Sequence, residues 1–208
     1  MEIVCISDTH GQHESLRLPK GDLLIHAGDI SAHGKREEVE AFLRWFAGLP
    51  YQYKVFTGGN HDFFLERSPS VFQSLVPDNC YYLNDSAVEI EGVRVWGSPI
   101  TPFFFNWAFN RYRGPDIQKH WDLIPAQTDI LITHGPPLGI LDRTARGEAV
   151  GCQDLQQTIT EIQPRLHVFG HIHESYGVVE QAGTTFVNAS YLNLQYRPAH
   201  APVVITIA

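Results

Sequence analysis

Short apolar-rich runs, each closed by polar residues, recur along the chain. Glu2–Ser7, Asp22–Ala27, Tyr53–Thr57, Asp129–Thr133 and Leu166–Phe169 read as buried strands. Between them the period changes. Val39, Phe42, Leu43 and Phe46 fall at helical spacing, predicting a helix over Glu37–Gly48 that Gly48 and Pro50 stop. A second helix is predicted from about Cys152 to Ile162, burying Leu155, Ile159 and Ile162, with Pro164 beyond it. Ala87–Ile90 and Val93–Gly97 flank Glu91-Gly92, a hairpin pattern. From Tyr176 onward the tail reads as strands, at Gly177–Glu180, Thr184–Asn188 and Val203–Ile207. Strand–helix alternation followed by hairpins predicts an α/β domain with mixed sheets covered by helices. No repeat, low-complexity tract or linker divides the chain, so residues 1–208 are expected to form one domain.

Composition narrows the function. Apolar residues make up 43% and charged residues 18% of the 208, an ordinary globular balance. The net charge of −8 disfavours extended nucleic acid as a partner, because its phosphates would be repelled over most of the surface. A small phosphate ester remains compatible where local cations outweigh that field. No basic segment leads into an apolar stretch at the N-terminus, and no run of ~18 apolar residues is present to span a membrane. Cys5, Cys80 and Cys152 form no CxxC pair, so neither a disulfide framework nor a thiolate zinc site is expected. A reduced, cytoplasmic setting is the simplest expectation. The chain has no GxSxG, P-loop, HExxH or GxGxxG motif.

The chemistry concentrates at strand ends. Asp8 and His10, Asp29, Asn60 and His61, His134, and His171 with His173 each follow one of the five apolar runs. In α/β sheets, ligands bind beyond the carboxyl ends of the strands. Alternation along a strand puts both members of an Asp-x-His or His-x-His pair on one side. Carboxylate, amide and imidazole donors without thiolate suit Mn²⁺, Fe, Zn²⁺ or Co²⁺. With His61 left aside, the remaining seven donors exceed one tetrahedral ion and fit two ions sharing a carboxylate. Two metals ~3.5–4 Å apart can hold a hydroxide between them and clamp an in-line phosphoryl displacement.

The ordered series Asp8-x-His10, Gly28-Asp29, Gly59-Asn60-His61-Asp62, His134-Gly135 and Gly170-His171-Ile172-His173 resembles the signature of the calcineurin-like metallophosphoesterases. Any one of these motifs is common by chance; all five in order are specific. The resemblance implies a two-sheet mixed β-sandwich flanked by helices and two divalent transition-metal ions, Mn first, with Fe, Zn, Co or Ni as alternatives. It implies that Asp8, His10, Asp29 and His173 hold one metal. It implies that Asp29, Asn60, His134 and His171 hold the other, with Asp29 bridging. His61 would then be no ligand but the general acid at the leaving-group oxygen. Trp96-Gly97-Ser98-Pro99, His134-Gly135-Pro136-Pro137-Leu138 and the segment from Leu166 to Glu174 are similar to the brain-type metallophosphoesterase-domain subgroup and its bacterial relatives. Mammalian members of that subgroup can carry Gly at the position of His171; the histidine here implies a competent enzyme.

One departure bears on substrate. The protein serine/threonine phosphatases follow Gly-Asp with a pattern ending in Asp-Arg-Gly, whereas this chain reads Asp29-Ile30-Ser31-Ala32-His33-Gly34. A phosphomonoester dianion benefits from a bidentate guanidinium; a singly charged diester needs it less. The expectation is therefore a phosphodiesterase acting on small molecules such as cyclic nucleotides, by in-line attack of a metal-bridging hydroxide. A small-molecule or protein phosphomonoesterase is the alternative, a nuclease comes third, and a nucleotide-binding scaffold stands outside the enzyme class. Of the other histidines, His13, His33, His120 and His200 read as solvated, and His26 and His167 as packing or outer-shell groups. Asp62 reads as either a histidine's partner or a turn residue. Phe103–Arg113 reads as a packed surface loop, with capping of the site and stacking of a base as the alternative. Arg111, Arg113, Arg143 and Arg146 read as solvated charges, with contact to a substrate phosphate as the alternative.

Overall fold

The computed structural model describes residues 1–207. In chain order the elements are β1 (Glu2–Ile6), β2 (Leu23–His26), α1 (Arg36–Ala47), β3 (Tyr53–Phe56), α2 (Phe63–Arg67), α3 (Pro69–Gln73), β4 (Tyr81–Tyr82), β5 (Ser86–Ile90) and β6 (Val93–Ser98). There follow β7 (Thr101–Pro102), β8 (Asn110–Arg111), α4 (Pro115–Trp121), β9 (Ile130–Thr133), α5 (Gln153–Ile162), β10 (Leu166–Phe169), β11 (Gly177–Gln181), β12 (Thr184–Asn188) and β13 (Val203–Thr206).

The strands form two mixed sheets, ordered β13-β1-β2-β3-β4 and β11-β12-β10-β9-β6-β5. The runs β1-β2-β3-β4 and β12-β10-β9-β6 are parallel; β13, β11 and β5 add antiparallel edges. Alternation explains the packing. Ile3, Cys5, Leu23, Ile25 and Val55 meet Val95, Ile130, Ile132, Leu166, Val168 and Val187 in one buried cluster between the sheets. Their chain neighbours Val4, Ile6, Leu24 and Phe56 join Val39, Phe42 and Phe46 of α1, while Trp96, Leu131 and Phe169 join Trp121, Leu155 and Ile159 of α4 and α5. Both faces of the parallel strands are thus covered, which is why they read as apolar runs rather than alternating ones. Each such buried side chain stabilises the fold by about 1.5–3 kcal/mol.

The expected two-sheet architecture with flanking helices is the observed one. Within α5, Ile162 is half-buried rather than in the core, because the helix ends there and Gln163 turns into the left-handed region at φ 52°. The stretch after β12 is not strand throughout: residues 189–202 fold back over the carboxyl ends of β1 and β10 before β13 begins. A parallel bridge from Ser7 to Ser190 joins the two sheets there. The polar ends of β1, β2, β3, β9 and β10 therefore open on one place.

Candidate metal centre

The loops at this place are held in unusual backbone conformations. Asp8, His10, Asp29 and His171 all have positive φ, at 52°, 41°, 55° and 68°. Such values are uncommon for residues with a side chain and cluster at functional sites. Main-chain bonds hold them: the Asp8 amide donates to the Gly28 carbonyl and the His10 amide to the Asp29 carbonyl, each at 3.0 Å. Two motif glycines have a steric reason. A Cβ on Gly170 would collide with the Asp8 carboxylate, and one on Gly59 with that of Asp29. Asp62 fastens the loop after β2 to the loop after β3. Its buried carboxylate accepts from the Ile30, Ser31 and Gly59 amides at 3.2, 3.0 and 2.8 Å, and from the Ser31 hydroxyl at 2.6 Å. Burial, then the charge of Asp29, raises its pKa to about 6 against those hydrogen bonds. Asp62 is thus a link between loops, not a histidine's partner.

Most of the expected site side chains come together. His10 Nε2 lies 3.4 Å from His173 Nε2 and 3.6 Å from Asp29 Oδ2, and His173 Nε2 lies 3.4 Å from Asp8 Oδ1. On the other side of Asp29, His134 Nε2 lies 3.3 Å from Asp29 Oδ2 and 2.9 Å from Asn60 Oδ1. Three groupings have donor atoms within 4.8 Å of one another: Asp8, His10 and His173; His10, Asp29 and His61; and Asp8, Asp29 and His134. His171 stands at the rim of these groupings. Its amide donates to both oxygens of Asp8, at 3.1 and 3.0 Å, and its ring centroid lies 5.0 Å from that of His134. Asn60 and His61 make different contacts despite adjacency. Asn60 faces His134, whereas the His61 ring packs edge-on to His10 at 4.5 Å and its amide donates to Asp29 Oδ1 at 2.8 Å.

Backbone carbonyls set the imidazole tautomers. His134 Nδ1 donates to Ala27 O, His173 Nδ1 to Asn193 O and His61 Nδ1 to Ala32 O, at 3.0, 3.1 and 2.8 Å. In neutral His134 and His173 the Nε2 is thereby left with a lone pair for the centre. In neutral His134 that lone pair faces two further acceptors, Asn60 Oδ1 and Asp29 Oδ2, an arrangement that a bound metal ion or a proton on Nε2 reconciles. Burial raises the carboxyls of Asp8 and Asp29, but the surrounding histidines more than reverse this and hold both well below the usual range. Burial lowers His134 and His173 in turn, yet Asp29 and Asp8 respectively prevail and lift each to about 9. His10 and His171, dominated by burial, fall to about 4 and about 3. The donor set, two buried carboxylates ringed by imidazoles, thus fits divalent cations.

Around the centre lies a cavity of about 890 Å³. One side is aromatic: Trp107 stacks on His61 at 4.4 Å, and Phe104 packs against His171 at 5.1 Å. Tyr196 lies 4.9 Å from His10 and 5.6 Å from His173. Phe103–Arg113 is therefore more than a packed surface loop, since Phe103, Phe104, Phe105 and Trp107 line the cavity. Of the four arginines, Arg113 lines the cavity too, but its guanidinium donates to the Gly151 and Val150 carbonyls, both at 2.9 Å. Arg111 pairs with Glu66 at 3.4 Å. Three histidines depart from the solvated reading. His13 is buried against Phe42 and Trp45, His120 is half-buried with Nδ1 2.7 Å from Asp85 Oδ2, and His200 is half-buried, stacked on Tyr176 at 4.3 Å with Nδ1 donating to Ser190 O at 2.8 Å. His26 and His167 do pack behind the site, bonded to Thr9 and Thr133 hydroxyls at 2.9 and 2.8 Å. Sequence reasoning missed Ser190, which donates to Asp8 Oδ2 at 2.9 Å, Asn193 and Tyr196. All three lie in the irregular stretch after β12, where no periodic pattern marks them.

The model of the calcineurin-like phosphoesterase family matches residues 1–175. The chain belongs to this family. It is similar to human metallophosphoesterase domain-containing protein 1, at 44% identity over 98% of this chain and 70% of the human protein. A Caenorhabditis elegans protein of the UPF0046 group is 38% identical over 100% of this chain and 75% of that protein. Among solved structures, the phosphopantetheinyl hydrolase of Mycobacterium tuberculosis superposes with a TM-score of 0.61, covering 93% of this chain and 90% of that one. At 15% identity, that likeness concerns the fold. Membership makes the chain a metal-dependent phosphoester hydrolase of a family that works on small phosphoesters through a dinuclear divalent-metal site, and the three donor groupings are where such a site would lie. Among the described residues, no helix is long and apolar enough to cross a membrane.

Proposed function

We propose that the chain is a phosphodiesterase acting on small molecules, cyclic nucleotides among them, with Mn²⁺ as the preferred metal and the cytoplasm as its setting. The observation that carries this reading is the engagement of every group that would otherwise recognise a second negative charge. Where protein phosphatases place the arginine of that pattern, His33 stands, and its ring is bonded to Glu38 at 3.2 Å. Among the described residues, Arg113 is the one arginine lining the cavity, and carbonyls occupy its guanidinium. A monoanionic diester fits such a site better than a dianionic monoester.

In this reading Asp8, His10, Asp29 and His173 hold one ion, and Asp29, Asn60, His134 and His171 the other. Bound divalent ions supply Lewis-acid charge to the phosphoryl oxygens and lower the pKa of the attacking water. The chain's own residues do the remainder. Asp29 stands between the two donor groups and keeps them in register. Ala27, Asn193 and Ala32 hold three imidazoles in the tautomer that turns Nε2 inward. His61, on the cavity wall and fixed through Nδ1, carries a proton on Nε2 to the departing oxygen.

With Mn²⁺-loaded protein, hydrolysis of bis(p-nitrophenyl) phosphate should exceed that of p-nitrophenyl phosphate at equal concentration. The reverse ranking would make the chain a phosphomonoesterase.

A further inference from the structure

We propose that Phe104, Trp107 and Tyr196 select phosphodiesters bearing a flat, uncharged aromatic or heteroaromatic ester group. The inference rests on the diesterase reading and adds the substrate class. The three rings adjoin the imidazoles directly: Phe104 at His171 (5.1 Å), Trp107 at His61 (4.4 Å, rings 28° apart) and Tyr196 at His10 (4.9 Å). Phe104 and Trp107 lie 6.5 Å apart and within 24° of parallel, forming one wall. His61 has Trp107 stacked on it and Tyr196 6.3 Å away, so an ester group that departs past His61 passes these faces. A phosphorus atom held at the centre would direct its substituents onto the rings.

The wall is fixed to the centre and is not a loose flap. The Ala108 amide donates to the carbonyl of Asn60 at 3.1 Å, and Asn110 Nδ2 donates to the Phe104 carbonyl at 2.9 Å. Tyr196 is 49% exposed, and Phe105 at the rim is 80% exposed, so these rings are not explained as core. The cavity, about 890 Å³, exceeds what a phosphate alone fills and is of a size that takes a whole organic group. Its remaining lining offers little to charge: among the described residues no lysine lines it, and the guanidinium of Arg113 is occupied. A charged substituent would lose water there without gaining an ion partner. An aromatic one gains stacking.

The test uses two inert monoanions with the same phosphinate head, diphenylphosphinate and dimethylphosphinate, on the Mn²⁺-loaded full chain. Binding is read by calorimetry and by inhibition of bis(p-nitrophenyl) phosphate hydrolysis. Diphenylphosphinate should bind at least roughly tenfold more tightly, the scale of one base–aromatic stack. Phe104→Ala and Trp107→Ala should each remove most of that preference while metal content stays unchanged, and Trp107→Phe should restore it. A preference below about twofold in the unmodified protein would overturn the proposal, whatever the variants do. So would a preference that survives both alanine substitutions. Because calorimetry needs no turnover, a protein that prefers the diphenyl anion yet hydrolyses monoesters over diesters would refute the diesterase reading and leave the aromatic selectivity standing.

Discussion

At the metal centre, the floor of the cavity, several functional side chains are fixed by hydrogen bonds to neighbouring loops. His134 and Asp8 are fully buried, His134 is pinned to Ala27, and Asp8 takes bonds from the amide of His171 and the hydroxyl of Ser190. The aromatic wall a few ångströms away is built otherwise. Its rings meet each other and the imidazoles face to face or edge to face, and Phe103, Phe105 and Tyr196 remain 43%, 80% and 49% exposed. The floor is anchored to parallel strands buried on both faces, so displacement there strains the core of the molecule. The wall hangs from loops and a two-residue strand pair. Chemistry and selectivity thus rest on parts held in different ways, the floor by the sheet core and the wall by a few hydrogen bonds to it: one tolerates almost no substitution, while the other can change its contents and leave the reaction intact.

The largest effect should come from the floor. Asp29→Ala removes the carboxylate that belongs to two donor groupings, so both metals should be lost and hydrolysis should fall to background; metal analysis and a turnover assay read this together. Retention of one full metal equivalent would mean that Asp29 does not bridge.

His61 lies where floor and wall touch. His61→Ala should keep both metals and lose about 10²–10⁴ in rate on an ester with a basic alkoxide leaving group. The loss should shrink for p-nitrophenyl esters, whose phenolate departs with little help. His134→Ala should lose metal as well as rate. Since His61 also comes within 4.8 Å of donor atoms of His10 and Asp29, an emptied site in His61→Ala would make it a ligand instead.

Asp62 tests how far the floor depends on its support. Asp62→Asn puts an NH2 group in place of one carboxylate oxygen, so that it faces either the amides of Ile30 and Gly59 or that of Ser31, and should destabilise the fold by about 1–3 kcal/mol. Metal affinity should fall about 10–100-fold, the usual consequence of disturbing an outer partner. Chemical unfolding and Mn²⁺ titration measure the two effects; unchanged values in both would leave Asp62 without the linking role.

The smallest effect concerns the histidines behind the floor. Burial lowers His26 and His167 to about 3 from the ordinary 6.5. The unfolded chain therefore binds protons first as pH falls below 6.5, and each histidine removes stability at about 1.4 kcal/mol per pH unit until its folded value is reached. In metal-free protein, His167→Gln keeps a partner for Thr133 without titrating. It should flatten the fall in stability between pH 6.5 and 5.5 by about 1 kcal/mol; an unaltered slope would count against a neutral, buried His167.

The same contrast governs what the chain reveals before it folds. Doubly buried strands write unbroken apolar runs, and strand ends write Asp-x-His, Asn-His and His-x-His, so the two sheets and the polar cluster are legible. Helices α2 and α3, five residues each, are too short to show a period, and β7 and β8, two residues each, show no alternation. Asp62 was visible as a residue but not as a link, because its partners in the loop after β2 are some thirty residues away in sequence. Tyr196 and Asn193 lie where hydrogen bonds run to distant loops rather than within a repeat, so nothing local announces them. His13 was misread for the same reason, its burial coming from Trp45 and Phe42 on α1.

The central claim is a two-metal centre bridged by Asp29. Anomalous diffraction from crystals of the Mn²⁺-loaded protein, collected at the manganese edge, tests it most directly. Two peaks per chain should appear, about 3.5–4 Å apart, with the Asp29 carboxylate between them and His10 and His134 on opposite sides. A single peak in metal-replete crystals, or two that do not share Asp29, would contradict the account.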